Sequence, residues 1–208
     1  MIFSQADVIC CTLTSAADKT LRGYIHNKLN DQLFDVCVID ECAQAIEPSC
    51  WIAAQFAKRL VLAGDHKQLD ATVKSDKASK LGLSLSLFER VMNFKDADIF
   101  STMLVEQYRM NSQIMEWSSA NMYDGKLVAH PQVATHTVAD LSSSDWQPLM
   151  IIDTAGALMH EAVEESASGI SESKSNIGEA DIVIQIIKEL KQQGITEASI
   201  GVISPYSA

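Results

Sequence analysis

Short apolar runs recur along the chain, and longer stretches of mixed character separate them. The runs are four to eight residues long and rich in Val, Ile and Leu. That pattern is typical of strands buried on both faces of a parallel sheet. We therefore predict strands at residues 7–14, 34–39, 59–63, 99–105, 149–152 and 200–204.

The intervening stretches carry apolar residues at helical spacing. In the first stretch, Leu21, Ile25 and Leu29 fall on one stripe, although Gly23 lies inside it. Pro48 lies near the start of the second, where a helix tolerates proline. Strands that alternate with helices predict an α/β fold, with helices covering parallel sheets. The predicted helices are at 15–29, around 51–56, and at 85–92, 112–122 and 178–190.

Residues 160–176 interrupt this alternation. They are rich in Ser and Glu and contain almost no large apolar residue after Val163. A segment of that composition buries too little apolar surface to offset the loss of chain entropy on folding. We predict an exposed insertion over 160–176.

Charge divides the chain near residue 95. The net charge is −11, but residues 1–95 hold eleven basic and eleven acidic side chains, whereas residues 96–208 hold five basic and sixteen acidic ones. We predict two domains, 1–95 and 96–208. The acidic balance argues against a broad basic patch for DNA or RNA, so any such contact would be local.

Several classes of protein are excluded by simple features of the sequence. No apolar run reaches the roughly 18 residues that a membrane-spanning helix needs, so we expect no membrane partner. The amino terminus lacks the basic patch and cleavage site of a signal peptide, which favours a cytoplasmic or nuclear protein. The five cysteines form no C-x-x-C pair, and the histidines add no metal-ligand spacing. We predict reduced, buried thiols at Cys10, Cys11, Cys37, Cys42 and Cys50.

The run D-V-C-V-I-D-E, residues 35–41, ends on two adjacent carboxylates, Asp40 and Glu41. Adjacent negative charges repel, most strongly where water is scarce. One interpretation is that the strand ends in solvent, where the acids are harmless. The other is that the acids face a magnesium ion, as a nucleotide-hydrolysing site requires. Gln44 follows in the same stretch.

Three further polar stretches follow predicted strands, and functional groups gather at the carboxyl ends of parallel strands. In L-V-L-A-G-D-H-K-Q-L, Asp65 and Gln68 follow the strand, and an amide there can sense a terminal phosphate. In V-E-Q-Y-R-M, Tyr108 offers a flat face for a base. Arg109 offers a fork for phosphate oxygens, unless it forms only a surface salt bridge. The last stretch, V-I-S-P-Y, ends on Pro205 and Tyr206.

Five stretches together resemble a known family. D-E-C-A-Q, G-D-H-K-Q-L, L-S-L-S-L-F-E-R, E-Q-Y-R-M and M-Y-D-G-K-L occur in the order and at about the spacing of superfamily 1 helicases. The branch is the 5′-to-3′ one that includes the nonsense-mediated-decay helicase, and the immunoglobulin-mu-binding DNA/RNA helicase type is the most similar. The resemblance implies parts of two tandem RecA-like domains, ATP and Mg²⁺ as cofactors, and single-stranded or partly duplex DNA or RNA as partner.

The resemblance also implies a role for each matching residue. Asp40 would hold Mg²⁺, Glu41 would activate the attacking water, and Gln68 would read the γ-phosphate. Arg109 would act from the second domain as an arginine finger, and Tyr108 would stack near the adenine. Gln44 and Asp65 would join the nucleotide site. A nucleic-acid contact is implied for Thr12, Thr14, Ser15, Pro205 and Tyr206, although hydroxyls at a strand end also cap helices.

Two features depart from the family pattern. None of the nine glycines lies in a G-x-x-x-x-G-K-[ST] P-loop, which holds the β- and γ-phosphates. Asp70 and Ala71 stand where the family usually has two prolines, so the loop after Gln68 should be looser. We therefore expect the middle part of an ATP-dependent helicase. The rest of the helicase chain would be its partner, and this chain alone would hydrolyse ATP negligibly.

Two alternatives remain open. One is a nonenzymatic module that binds nucleic acid or protein on a degenerate helicase scaffold. The other is a P-loop ATPase outside the helicases, although Tyr108 and Arg109 following Gln68 at this spacing argue against it. The sequence does not distinguish a DNA substrate from an RNA substrate.

Overall fold

The computed structural model describes residues 2–28, 34–138, 146–164 and 173–204. The chain divides into two compact units, Met1–Met103 and Leu104–Ala208. The predicted domain boundary after residue 95 lies a few residues before this division and stays a prediction. None of the described helices is long and apolar enough to cross a membrane.

The first unit is built around a pair of parallel strands, β1 and β2, in which Val38 lies opposite Val61. Pro48 is the second residue of the helix that follows β1, a position where its missing N–H costs nothing. The elements are α1 Lys19–Lys28, β1 Cys37–Ile39, α2 Glu47–Ala54, β2 Leu60–Leu62, α3 Asp76–Ala78 and α4 Leu87–Met92, with a π-helix, Ser79–Leu83, directly after α3.

The core of this unit lies on one side of the sheet. Ile39 of β1 packs with Cys42, with Cys50 of α2 and with Leu87 of α4, and all four are buried. Val38 and Val61, by contrast, are 65% and 49% exposed. Among the described residues, the sheet therefore buries one face strongly and leaves much of the other face in solvent.

A two-pronged ion pair joins α2 to α4. Arg90 donates from Nε and Nη2 to Glu47, both at 2.7 Å, and Trp51 Nε1 donates to the same carboxylate at 2.9 Å. These hydrogen bonds, that of Arg90 above all, hold the pKa of Glu47 below its usual value. The paired geometry orients α4 relative to α2.

The second unit contains two separate two-stranded sheets among its described residues. β3 and β4 are parallel, and β5 and β6 are antiparallel. Asn111 and Asn176 accept backbone N–H groups at the starts of α5 and α7, which explains where these helices begin. The elements are β3 Glu106–Gln107, α5 Ser112–Met122, β4 Val128–Ala129, α6 Pro131–Ala134, β5 Ala162–Glu164, β6 Ser173–Ser175 and α7 Ile177–Gln192.

Most predicted helices are confirmed, and α5 has the predicted bounds. Strands 34–39 and 59–63 are confirmed as the shorter β1 and β2. Four other predicted strands are wrong. Apart from the carbonyl of Val105, which accepts the N–H of Val128 at 2.8 Å, their backbones pair with no described strand, and they expose apolar side chains such as Leu104, Ile151 and Ile203. An apolar run becomes a strand only when a neighbour pairs with its backbone. The four segments are 7–14, 99–105, 149–152 and 200–204.

Two predictions need smaller corrections. The predicted first helix is divided in two: Ser15–Ala17 form a short 3₁₀ helix, and α1 begins at Lys19, because Asp18 accepts the N–H of Thr20 at 2.7 Å and starts α1 there. Leu29 lies outside the described residues. The insertion predicted over 160–176 contains β5 and β6, since backbone pairing does not require apolar side chains. Residues 165–172 lie outside the described part of the chain.

Leu87→Ala is expected to lower the free energy of unfolding by about 3 kcal/mol. Leu87 is 2% exposed, so the change leaves a cavity in the core of the first unit. Urea unfolding followed by circular dichroism measures the loss. Leu81, which is exposed on the π-helix, provides the control: Leu81→Ala should change stability by no more than about 0.5 kcal/mol. Equal losses of stability in the two variants would show that Leu87 is not part of a packed core.

Candidate functional site

The carboxyl end of β1 carries the paired acids. Asp40 Oδ1 accepts the N–H of Glu41 at 3.0 Å. Glu41 has a left-handed backbone, with φ of 52°, which is uncommon outside glycine and turns the chain sharply after the strand. Gln44 Nε2 donates to Glu41 Oε2 at 3.2 Å. Both acids are exposed, so water screens their repulsion in this structure.

The loop after β2 packs tightly against this turn. Cys42 donates its N–H to the carbonyl of Ala63 at 2.9 Å, which ties the turn to the end of β2. A Cβ atom on Gly64 would lie 2.9 Å from the backbone nitrogen of Ala43. Glycine at position 64 is therefore required by the close approach of the two loops.

Asp65 organises the rest of the loop after β2. Its Oδ1 accepts the N–H of Lys67 at 2.9 Å, and its Oδ2 accepts Nε2 of Gln68 at 2.8 Å. The Gln68 amide is thus held by its neighbour, although the side chain is exposed. The structure places two sets of predicted residues at one edge of the β1–β2 sheet: Asp40, Glu41 and Gln44 from one loop, and Asp65 and Gln68 from the other.

Cys42 lies buried beneath this edge, and its Sγ donates to the carbonyl of Ala63 at 3.0 Å. Burial raises the pKa of Cys42 to about 11, so the thiol stays protonated near neutral pH and packs rather than reacts. All five cysteines are free, as predicted. The prediction of burial is confirmed for Cys42 and Cys50, whereas Cys37 is only half-buried. It is wrong for Cys10 and Cys11, because the segment that carries them has no strand partner to cover it.

The carboxyl ends of β3 and β4 carry an aromatic pair. Gln107 of β3 lies opposite Ala129 of β4, so Tyr108 and His130 follow at neighbouring positions. Adjacent strands run about 4.8 Å apart, and the two rings stack with their centroids 4.2 Å apart. Tyr108 Oη donates to Glu106 Oε2 at 2.8 Å, which raises the pKa of Tyr108. The Tyr108 side chain nevertheless remains 58% exposed.

Gln107 holds the turn that carries Arg109. Its Oε1 accepts the N–H groups of Arg109 and Met110 at 2.8 and 2.9 Å, and its Nε2 donates to the carbonyl of Met110 at 2.7 Å. These bonds end on the main chain, so the turn does not depend on the Arg109 side chain. That side chain is exposed and forms no ion pair with another described residue.

The residues predicted to contact nucleic acid are described only in part. Thr12, Thr14 and Ser15 are exposed just before α1. Thr12 Oγ1 donates to Ser15 Oγ at 2.9 Å and accepts the N–H of Ser15 at 3.3 Å. These hydroxyls therefore stabilise the local turn, as the capping alternative expects. Pro205 and Tyr206 lie outside the described residues.

Sequence reasoning missed two residues of the second unit, Gln107 and His130. Gln107 lies inside the E-Q-Y-R-M stretch, so its position was known, but only the structure shows that its side chain holds the turn. His130 follows β4, a strand of two residues that is too short to leave a periodic pattern. The signal for His130 was the following Pro131, which marks a helix start.

Within the described residues, no cluster of three or more His, Cys, Asp or Glu side chains could hold a metal ion. This finding is compatible with Mg²⁺ carried by a nucleotide, because Mg²⁺ usually takes one or two carboxylates and completes its shell with water and phosphate oxygens. Asp40 Oδ2 accepts no hydrogen bond from a described residue. The Asp40 carboxylate therefore fits the requirement for such an ion.

Comparison with known protein families identifies the chain. The family described as AAA domain matches residues 1–76, and a second match with the same description covers residues 83–208. The chain belongs to the AAA domain family. Together with the relatives described next, this match confirms the predicted place among superfamily 1 helicases and the α/β fold class built on RecA-like domains.

Relatives match almost the whole chain. It is 44% identical to the DNA-binding protein SMUBP-2 of Rattus norvegicus, over 98% of this chain and 20% of that protein. It is 40% identical to the DNA polymerase alpha-associated DNA helicase A of Saccharomyces cerevisiae, over 98% of this chain and 32% of that protein. The ATP-dependent helicase NAM7 of the same yeast is 36% identical, over 99% of this chain and 20% of NAM7. The chain thus spans between a fifth and a third of these relatives.

Proposed function

We propose that this chain supplies part of the motor of an ATP-dependent helicase, which hydrolyses ATP to move 5′-to-3′ along DNA or RNA and to unwind it. The observation that carries the proposal is the edge of the β1–β2 sheet, where Asp40, Glu41 and Gln68 follow two neighbouring parallel strands. Ligands of α/β proteins bind at such carboxyl edges. The relatives DNA helicase A and NAM7, both named as helicases, support the same activity.

At this first edge, Asp40 would hold Mg²⁺ and Glu41 would accept a proton from the attacking water. The bound metal ion would neutralise charge on the phosphates. Gln68 Nε2 carries two hydrogens, of which one is taken by Asp65. The other is left for a γ-phosphate oxygen. Gln44 steadies the Glu41 carboxylate through its own amide.

At the second edge, Tyr108 and Arg109 would meet different parts of the nucleotide. The exposed face of Tyr108 suits the adenine, and the guanidinium of Arg109 suits the oxygens of the transferred phosphoryl group. Gln107 holds the backbone at Arg109 and Met110 by hydrogen bonds, so the side chains of Tyr108 and Arg109 project from the same turn. Arg109 would act as the arginine finger of the reaction.

Nucleic acid would be bound as a single strand or partly open duplex, with Thr12, Thr14 and Ser15 facing its backbone, joined by Pro205 and Tyr206. The names of SMUBP-2 and DNA helicase A favour DNA as one substrate. Asp70 and Ala71 replace the usual prolines, so we expect weaker coupling between nucleotide state and strand binding. The cytoplasm or nucleus is the proposed location.

The proposal is tested with a chimera of yeast DNA helicase A in which these 208 residues replace the matching part. We expect the chimera to hydrolyse ATP in the presence of single-stranded DNA and to separate a DNA duplex. The 208-residue chain alone should release phosphate more slowly than about one per minute in a malachite-green assay, since it contains no P-loop. Faster turnover by the chain alone that Glu41→Gln abolishes would contradict this expectation.

A nonenzymatic binding module is the second candidate. The replaced prolines at 70 and 71 favour it. In that case the chimera would bind single-stranded DNA but would neither hydrolyse ATP nor separate strands. The same two measurements therefore decide between the candidates.

A further inference from the structure

The stack of Tyr108 on His130 is fixed by the backbone and is not a chance contact of two surface rings. The parallel register of β3 and β4 brings the two positions together, and the N–H of His130 donates to the carbonyl of Gln107 at 2.9 Å, which extends the ladder. A polar atom of each side chain also forms a hydrogen bond. Tyr108 Oη donates to Glu106 at 2.8 Å, and His130 Nδ1 accepts the N–H of Gln132 at 3.2 Å.

These contacts cover one face of the tyrosine ring. Among the described aromatic residues, only His130 stacks on Tyr108, and the tyrosine still exposes 58% of its surface. An aromatic face that is backed by a second ring and open on the other side suits a flat, π-bearing ligand. A nucleobase has that chemistry, and stacking tolerates every base because each has a π-face.

We infer that His130 is a positioning residue for nucleobase binding: it holds the Tyr108 ring so that a base stacks on the opposite face. The layers are then base, tyrosine and histidine. This inference rests on the proposed function, which supplies the nucleotide whose base would occupy the open face.

His130 also accepts a hydrogen bond at the start of α6, so a purely structural role must be separated from the stacking role. The helix has other ties: Ser112 Oγ donates to the carbonyl of Ala134 at 2.9 Å, and Asn111 Nδ2 donates to the carbonyl of His136 at 2.9 Å. Loss of the cap alone should therefore leave α6 in place. Two substitutions divide the roles, because His130→Asn keeps an acceptor near Nδ1 without the ring, and His130→Phe keeps a ring without the acceptor.

The test is a chemical-shift titration of the 208-residue chain, with its tyrosine rings isotopically labelled and Tyr108 assigned from Tyr108→Phe. AMP and a hexanucleotide of adenines are the two probes, and both are weak ligands within the reach of this method. We expect AMP to shift the Tyr108 ring signals. His130→Asn should weaken AMP binding by about threefold to tenfold, and His130→Phe should restore it to within about twofold.

The outcomes separate the inference from the proposed function. If AMP shifts the Tyr108 ring with the same affinity in His130→Asn as in the unmodified chain, the histidine has no positioning role and the proposed nucleotide site survives. If His130→Phe loses AMP binding while His130→Asn keeps it, the residue acts as a cap and the inference is wrong. A third outcome is that only the hexanucleotide shifts the Tyr108 ring and that His130→Asn weakens this shift. The stacked base then belongs to a nucleic-acid strand, and the proposed stacking of Tyr108 on the adenine of ATP is wrong. If neither probe shifts Tyr108, both the inference and the role of Tyr108 are contradicted.

Discussion

Arg109→Ala is expected to slow ATP hydrolysis by the chimera with yeast DNA helicase A about a thousandfold or more. An arginine finger contributes roughly 10³ to 10⁵ in rate, because its guanidinium stabilises the charge that develops on the transferred phosphoryl group. The turn should survive the substitution, since Gln107 binds only main-chain atoms of Arg109 and Met110. Steady-state phosphate release at saturating ATP measures the loss.

Two variants control this measurement. Arg109→Lys keeps a positive charge without the planar fork, so we expect it to recover only a small part of the rate. Arg59→Ala removes an exposed arginine beside β2 and should change the rate by less than about twofold. If Arg109→Ala behaves like Arg59→Ala, residue 109 takes no part in the reaction.

Glu41→Gln should have the second-largest effect, a loss of about 10² to 10⁴ in the rate of ATP hydrolysis by the same chimera. A general base contributes that much, and an amide of the same shape cannot take the proton of the attacking water. The hydrogen bond from Gln44 can persist, because the glutamine side chain keeps one acceptor oxygen. The turn at residues 40–44 should therefore keep its shape.

ATP affinity distinguishes the loss of a general base from the loss of the ATP-binding site. Glu41→Gln is expected to bind a fluorescent ATP analogue within about threefold of the unmodified chimera, since Asp40 remains to meet the metal ion. Glu116→Gln, an equivalent change at an exposed position on α5, should leave both the rate and the affinity unchanged. If the Glu41→Gln chimera hydrolyses ATP at the normal rate, Glu41 takes no part in the mechanism.

The sequence predicted the parts of the fold whose signals are local. α5 begins at the predicted residue because Asn111 caps it there. The paired acids were placed correctly at the end of β1, because a short apolar run that ends on polar residues marks a strand end. In the sequence, Gly64 only follows the second strand, and its role, the close approach of the turn at Ala43, became clear from the structure.

The sequence does not predict features that depend on a partner far away along the chain. The run 99–105 is mostly apolar, yet among the described residues only its last carbonyl, that of Val105, accepts a strand N–H, from Val128, and β3 begins only at Glu106. The stack of His130 on Tyr108 depends on the register of two strands that are each two residues long. Composition and periodicity carry no information about that register.

The most direct test of the account is a crystal structure of the chimera with Mg²⁺ and a non-hydrolysable ATP analogue. The account predicts Asp40 in the metal ion's coordination sphere or one water away, and the Arg109 guanidinium within hydrogen-bonding distance of the γ-phosphate. A nucleotide bound with both side chains far from its phosphates would contradict the account.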